Sequence, residues 1–289
     1  MAKINKYGIR DFEQDFPNEE ACIKTVFEAH HSSKCSCGGN YKPLKGRRQY
    51  QCSKCRYQIA PTSGTIFSKS DTPLRMWFMA IFHFSNAKSG YSAKQLERDL
   101  NVTYKTAWRI LNRIRKSLKQ STDKLSGIVE IDETYFGGKK KAGINNRDLS
   151  RAVKAKSVIA GAISRGGTMR AKIAPNSRAK TLGQFIVEHI DGQKTILMTD
   201  DSNRYWNIAK GIERYNVNHS KGEYARDGVF HVNSVESFWS HIKRSVRGTH
   251  KVISKKWLQT YLDGFVWHYN NRHNDRQRFA SLLGALLPA

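Results

Sequence analysis

Three carboxylates stand in runs that could bring them together. Asp132 closes Ile128-Val129-Glu130-Ile131-Asp132, Asp200 follows Ile196-Leu197-Met198-Thr199, and Glu236 lies in Asn233-Ser234-Val235-Glu236-Ser237-Phe238-Trp239. The chain places 67 residues between the first two and 35 between the last two. Two carboxylates at the ends of apolar strands and a third on a helix can clamp two divalent cations about 4 Å apart, which activates a water and a leaving oxygen in phosphodiester chemistry. Each group alone has an ordinary reading. An Asp at a strand end commonly serves a turn, and a Glu near a helix start favours the helix dipole. Glu130, Glu133, Asp201 and Asp227 compete for any single role. The joint pattern is what points to chemistry.

Charge names the kind of substrate. Fifty Lys and Arg face 24 Asp and Glu, a net +26. Residues 1–126 carry 23 basic and 10 acidic side chains and residues 127–289 carry 27 and 14, so each part has a net +13. A basicity spread through both halves is a surface for a polyanion, with nucleic acid the leading partner. Hydrophobic content of 39% is that of a globular protein. The longest apolar run, Met76 to Phe84, is interrupted by His83 and is too short to span a bilayer. The N-terminus lacks the apolar core of a signal peptide. An intracellular, nucleoid-associated protein with no membrane partner is expected.

Five cysteines make no disulfide framework, and four of them cluster. Cys35, Cys37, Cys52 and Cys55 read C-x-C-x14-C-x2-C, two thiolate pairs on tight turns that suit tetrahedral Zn²⁺ around a hairpin of residues 41–51. The first knuckle is one residue shorter than the usual C-x2-C, which leaves His30 or His31 open as a replacement ligand. Cys22 reads as a small buried apolar residue.

Three regions follow: a zinc-ribbon region over 1–66, a helical DNA-binding region over 67–122 and an α/β region over 127–289. In the second, Asp71-Thr72-Pro73 opens a helix carrying Leu74, Trp77, Phe78, Ile81 and Phe82. Ser92 with Gln95 forms a capping box for a helix to Leu100. After Asn101-Val102-Thr103, a third helix runs from Tyr104 to Leu118, with Ala107, Trp108, Leu111, Ile114 and Leu118 inward and Lys105, Arg109, Asn112, Arg113 and Lys116 outward. A short turn before a basic third helix predicts a helix-turn-helix. Arg109 and Arg113 are candidates for base edges, and Lys105 and Lys116 for phosphates.

In the third region, strands are expected over 128–132, 157–164, 169–174, 194–199 and 215–219, and helices over 178–190, 203–211 and from Asn233 or Ser234 to Val246. That order matches a mixed-sheet, ribonuclease H-like α/β fold. Alternation puts Ile128, Glu130 and Asp132 on one face of their strand. On the last of those helices Val235, Phe238, Trp239, Ile242 and Val246 form a packing stripe, and Glu236, Ser240, Lys243 and Arg247 a polar one. Cations beside a carboxylate can hold the phosphates flanking a scissile bond. Trp257, Leu258, Tyr261, Leu262, Phe265 and Val266 read as core, and His219 and His231 as neighbours of the site.

The chain resembles insertion-sequence transposases of the Asp–Asp–Glu type, in the ISXO2-like branch with an N-terminal zinc ribbon that is related to Merlin elements. The resemblance rests on Arg47-Arg48-Gln49-Tyr50-Gln51-Cys52, Ser63-Gly64-Thr65-Ile66-Phe67, Pro73-Leu74-Arg75-Met76-Trp77-Phe78 and Lys105-Thr106-Ala107-Trp108. It continues through Glu130-Ile131-Asp132-Glu133-Thr134-Tyr135-Phe136-Gly137-Gly138-Lys139, Thr199-Asp200, His231 to Trp239, Lys243-Arg244 and Tyr269-Asn270-Asn271-Arg272. It implies that Asp132, Asp200 and Glu236 are catalytic and bind Mg²⁺ or Mn²⁺, with Asn233 the rival at the third position. Lys243 would be a helper, and Lys243, Arg244 and Arg247 would contact DNA. It further implies binding of transposon ends and target DNA, exposure of a 3′-hydroxyl, its joining to target DNA, and at least a homodimer on DNA. Two other readings share these features: a zinc-ribbon and helix-turn-helix regulator without enzymatic activity, and a ribonuclease H-like nuclease without strand transfer.

Overall fold

The computed structural model describes residues 6–137, 156–200, 205, 211–217 and 231–287. By contacts the chain divides into two compact units, residues 1–118 with 271–289, and residues 119–270. The expected helix over 203–211, apart from Tyr205 and Gly211, lies outside the described residues, as do His219, Asp201 and Asp227. No helix among the described residues is long and apolar enough to cross a membrane.

The first unit opens with α1 (Ile9–Asp15) and α2 (Glu19–His30), followed by a small antiparallel sheet of β1 (Tyr41–Pro43), β2 (Tyr50–Cys52) and β3 (Gln58–Ile59). Three helices follow: α3 (Leu74–Asn86), α4 (Ala93–Leu100) and α5 (Tyr104–Ser117). Ser92 caps α4 by accepting from the Gln95 amide at 3.1 Å. The Gln95 side chain does not reach back. It donates to Asp99 instead, so half of the expected capping box forms. Asn101 turns the chain in the left-handed region (φ 50°), and the Thr103 hydroxyl caps α5. The inward stripe of α5 is wider than its periodicity suggests. Ile110, Asn112 and Arg115 are buried with Ala107, Leu111 and Ile114, while Trp108 is half-buried. The last helix, α9 (Arg278–Leu286), belongs to this unit and not to the α/β region with which its sequence position groups it. Its Phe279 packs among the rings of Phe12, Phe16 and Phe82.

The second unit is built on a mixed five-stranded sheet. Its strands are β4 (Leu125–Phe136), β5 (Ser157–Ser164), β6 (Met169–Ala174), β7 (Ile190–Asp200) and β8 (Glu213–Val217), in the order β6-β5-β4-β7-β8. The first three pair antiparallel as a meander, and β7 and β8 add in parallel. One face packs on α6 (Ala179–His189) through Leu125, Val129, Ile131, Leu182, Phe185 and Ile186. The other packs Ile159, Ile163, Met169 and Met198 against α7 (Asn233–Ser245) and α8 (Leu258–Asn270). Alternation along each strand thus yields a two-sided core. The Leu258, Leu262, Phe265 and Val266 stripe of α8 is core, as its spacing suggests. The free edge of β6 is covered by amide side chains. Asn270, Gln120 and Gln259 accept from the amides of Met169, Ala171 and Ile173, which blunts an edge open to pairing with another chain.

Candidate active site

β4 is longer than the expected 128–132, so Asp132 lies inside a strand, not at its end. The reason is asymmetric pairing. The antiparallel ladder to β5 runs on to Phe136–Ser157, whereas the parallel ladder to β7 stops at Glu130–Met198. Asp132 therefore occupies the first stretch of β4 left open on its β7 side. Extending the parallel register by two residues puts it level with Asp200, the last residue of β7. Parity puts both on the face that carries Met198 and α7.

Glu236 comes from the first turn of α7. That helix is fixed by Val235, Phe238, Trp239 and Ile242, which are buried in the core on this face, while Glu236 is exposed. Lys243 is half-buried and Arg244 exposed on the same helix. Beyond Ser245 the chain continues as a π-helical turn, Val246–His250, so Arg247 leaves the regular stripe predicted for it.

The acidic groups sense one another. Burial, then the charges of Glu133, Asp200 and Glu236, push the Asp132 carboxyl up to about 7. A buried carboxyl whose charge is disfavoured by desolvation and by anionic neighbours is a position where a cation is favoured. Carboxylate oxygens are the donors that hard divalent ions take. The set Asp132, Asp200 and Glu236 therefore fits Mg²⁺ or Mn²⁺ in chemistry. The three are spread more widely than the cysteines. Among the described residues, only Cys35, Cys37, Cys52 and Cys55 form a group whose ligand atoms all lie within 4.8 Å.

The two neighbouring glutamates of β4 have other work. Glu133 points to the opposite face, where it accepts from the buried Tyr205 hydroxyl at 2.5 Å. Glu130 is fully buried and ion-paired with Arg165, Nε to Oε1 at 2.9 Å. It also receives the Ser234 and Val235 amides at the start of α7, at 2.8 and 3.2 Å. His231 lies beside the same carboxylate, with Nδ1 3.2 Å from Oε1 but out of line for a hydrogen bond. Asn233, the rival third ligand, is exposed. Arg165, Ser234, Tyr205 and Gly161, the β5 partner of Asp132 whose missing side chain leaves room for Trp239, shape this site, and sequence reading missed all four roles. A signal existed for Ser234, at the head of a helix whose N-cap, Val232, offers no side-chain acceptor.

In the first unit, Cys35 and Cys55 sulphurs stand 3.7 Å apart and those of Cys37 and Cys52 3.4 Å apart. The four can hold a metal ion, and soft thiolates favour Zn²⁺. The short first knuckle closes because Gly39 leaves room for the sulphur of Cys52, which a Cβ there would approach to 2.6 Å. His30 and His31 are not in the group.

The basic residues of α5 divide into two kinds. Lys105 and Lys116 are exposed. Arg109 and Arg113 are half-buried and turned onto the segment before α3. Arg109 donates to the Thr72 hydroxyl at 3.1 Å, and Arg113 to the carbonyls of Ile66 and Ser68 at 2.8 and 2.9 Å.

Residues 124–270 match the family model described as the ISXO2-like transposase domain. A protein of Halobacterium salinarum described as "Uncharacterized protein in transposable element ISH50" is 28% identical over 254 residues, covering 78% of this chain and 79% of the relative. A solved structure, the simian T-cell lymphotropic virus intasome in complex with PP2A regulatory subunit B56 gamma, aligns with a TM-score of 0.30 at 11% identity, over 69% of this chain and 70% of that one. A likeness that shallow establishes nothing about the fold. The matched region spans half of the chain and runs from β4 through α8, the elements that carry Asp132, Asp200 and Glu236, and the chain belongs to the ISXO2-like insertion-sequence transposases of the DDE class.

Proposed function

We propose that this transposase binds the ends of its element, cuts a strand at each end to expose a 3′-hydroxyl, and joins that hydroxyl to target DNA at a pocket formed by Asp132, Asp200 and Glu236. The reading is carried by one observation: the first two acids share a face on adjacent strands, and the third reaches that face from α7. The second unit then acts as a ribonuclease H-like catalytic domain. Mg²⁺ or Mn²⁺, held by the three carboxylates, supplies the charge that makes water nucleophilic and stabilises the leaving 3′ oxygen. In the first step a water oxygen bonds to phosphorus, the bond from phosphorus to the 3′ oxygen breaks, and that oxygen leaves as a hydroxyl. In the second step this 3′ oxygen bonds to a target phosphorus, the target strand's own bond from phosphorus to its 3′ oxygen breaks, and that oxygen leaves with the proton as a new 3′-hydroxyl, so no covalent protein–DNA intermediate is needed. Lys243, Arg244 and Arg247 hold phosphates beside the scissile bond.

The first unit recognises DNA. Its cysteine group is a zinc ribbon, and α4, the turn at Asn101 and α5 form a helix-turn-helix. Lys105, at the exposed start of α5, and Lys116 meet phosphate. Arg109 and Arg113 act mainly by holding the 66–72 segment, since their guanidinium groups are engaged there. Joining two ends requires at least two protomers on the DNA.

The deciding experiment mixes the protein with DNA carrying the element's flanks, with Mg²⁺, Mn²⁺ or chelator. Metal-dependent nicking followed by end joining is expected from the native protein and not from Asp200→Asn. Joining at the native rate by that variant would refute the assignment.

A further inference from the structure

α7 has no side-chain cap of its own. Its N-cap residue is Val232, and the first turn of a helix leaves amide donors without partners. The missing acceptor comes from the sheet. Glu130 stands two residues before Asp132 on the same face of β4. Its Oε2 accepts from the Ser234 and Val235 amides at 2.8 and 3.2 Å, and its Oε1 from the Ser234 hydroxyl at 3.0 Å and Arg165 Nε at 2.9 Å. Arg165 in turn donates to the His231 carbonyl at 2.9 Å, just before the helix, and its own amide donates to the Ile128 carbonyl on β4. Strand, arginine and helix start thus form one closed network with both carboxylate oxygens in use.

We propose that Glu130 is a positioning residue that caps α7 from β4 and so holds Glu236 over Asp132. The inference rests on the reading of Asp132, Asp200 and Glu236 as the metal-binding site. The physical need is clear. Three carboxyl groups gathered on one face disfavour one another's charge, and Glu236 sits on a separate helix whose placement relative to β4 must be fixed. A buried carboxylate gripping the Ser234 and Val235 amides fixes the turn that carries Glu236. It is favoured there by the helix dipole and by charge-assisted hydrogen bonds. Glutamine cannot replace it, because both oxygens accept and an amide nitrogen would face a donor.

The test is Mn²⁺ binding to the zinc-loaded, full-length protein, followed by electron paramagnetic resonance. Removing a group that orients a metal ligand lowers affinity about 10- to 100-fold, and that loss is expected for Glu130→Gln. In a Glu236→Gln background the same change should alter affinity by less than about twofold, because the ligand it positions is already gone. An equal loss in both backgrounds, or none in either, overturns the proposal. If Glu130→Gln does not fold, Ser234→Ala serves. It removes one donor and keeps both amides, with a loss of about threefold expected only while Glu236 is present. Asp132→Asn separates the two levels. If it binds Mn²⁺ as the native protein does, the site itself is misplaced and the role of Glu130 falls with it. If it abolishes binding while Glu130→Gln and Ser234→Ala do not weaken it, only the role of Glu130 falls.

Discussion

The indole of Trp239 lies directly on Gly161, the cross-strand partner of Asp132. A Cβ on that glycine would come within 2.6 Å of the Cζ2 and Cη2 atoms of the ring. The missing side chain lets α7 settle close to the sheet, one turn beyond Glu236. The approach of the helix is thus set at two points, the Glu130 cap at its start and this glycine under its middle.

Gly161→Ala tests the second point. Trp239 is only 4% exposed, so the ring has little room to move. Overpacking of this kind typically costs about 1–3 kcal/mol. Thermal unfolding should show the loss, together with reduced DNA cleavage. Adding Trp239→Phe, which shortens the ring, should restore part of both. A Gly161→Ala protein that melts with the native one would mean the contact is slack.

The acidic pocket makes stability depend on pH when metal is removed. The Asp132 carboxyl is raised by burial first, then by Glu133, Asp200 and Glu236, from 3.8 to about 7. The folded protein therefore holds a proton that the unfolded chain has released. Stability contributed by this group is present below about pH 4 and is lost as pH rises from there to about 7, by roughly 4 kcal/mol at most. Melting with chelator present should show a decline over that window that Asp132→Asn flattens. Mg²⁺ should stabilise the native protein more at pH 8 than at pH 6, because the cation displaces the proton. A decline unchanged in Asp132→Asn would assign it to another group.

The cysteine group predicts one tightly bound zinc per chain. Cys52→Ser should abolish the metal signal in elemental analysis and loosen the three-stranded sheet, since β2 carries that cysteine and pairs with both β1 and β3. Full zinc content in Cys52→Ser would exclude that residue as a ligand.

Two substitutions on α5 should behave differently. Arg113→Ala removes two charged hydrogen bonds to backbone carbonyls, so a stability loss of about 1–3 kcal/mol is expected. Lys105→Ala should leave melting unchanged, weaken DNA binding across sequences and lower the salt slope by about 1. Equal melting of Arg113→Ala and native protein would return Arg113 to the DNA-facing set.

Much of this was written in local pattern. The short apolar run of 157–164 and the alternation in 169–174 mark β5 and β6, the cysteine spacing marks a metal group, and the runs around Asp132 and Glu236 mark the family. Side-chain parity alone put Glu130 and Asp132 on one face. What periodicity cannot carry is pairing between distant segments. Only the sheet order β6-β5-β4-β7-β8 makes β4 and β7 neighbours and so brings Asp132 beside Asp200. Only the packed structure shows Glu130 capping a helix 104 residues away, Arg109 and Arg113 turned onto the segment before α3, and α9 joined to the first unit. Local sequence sets which face a residue takes on its own element. The partner of that face is chosen by burial and hydrogen bonding summed over the whole fold.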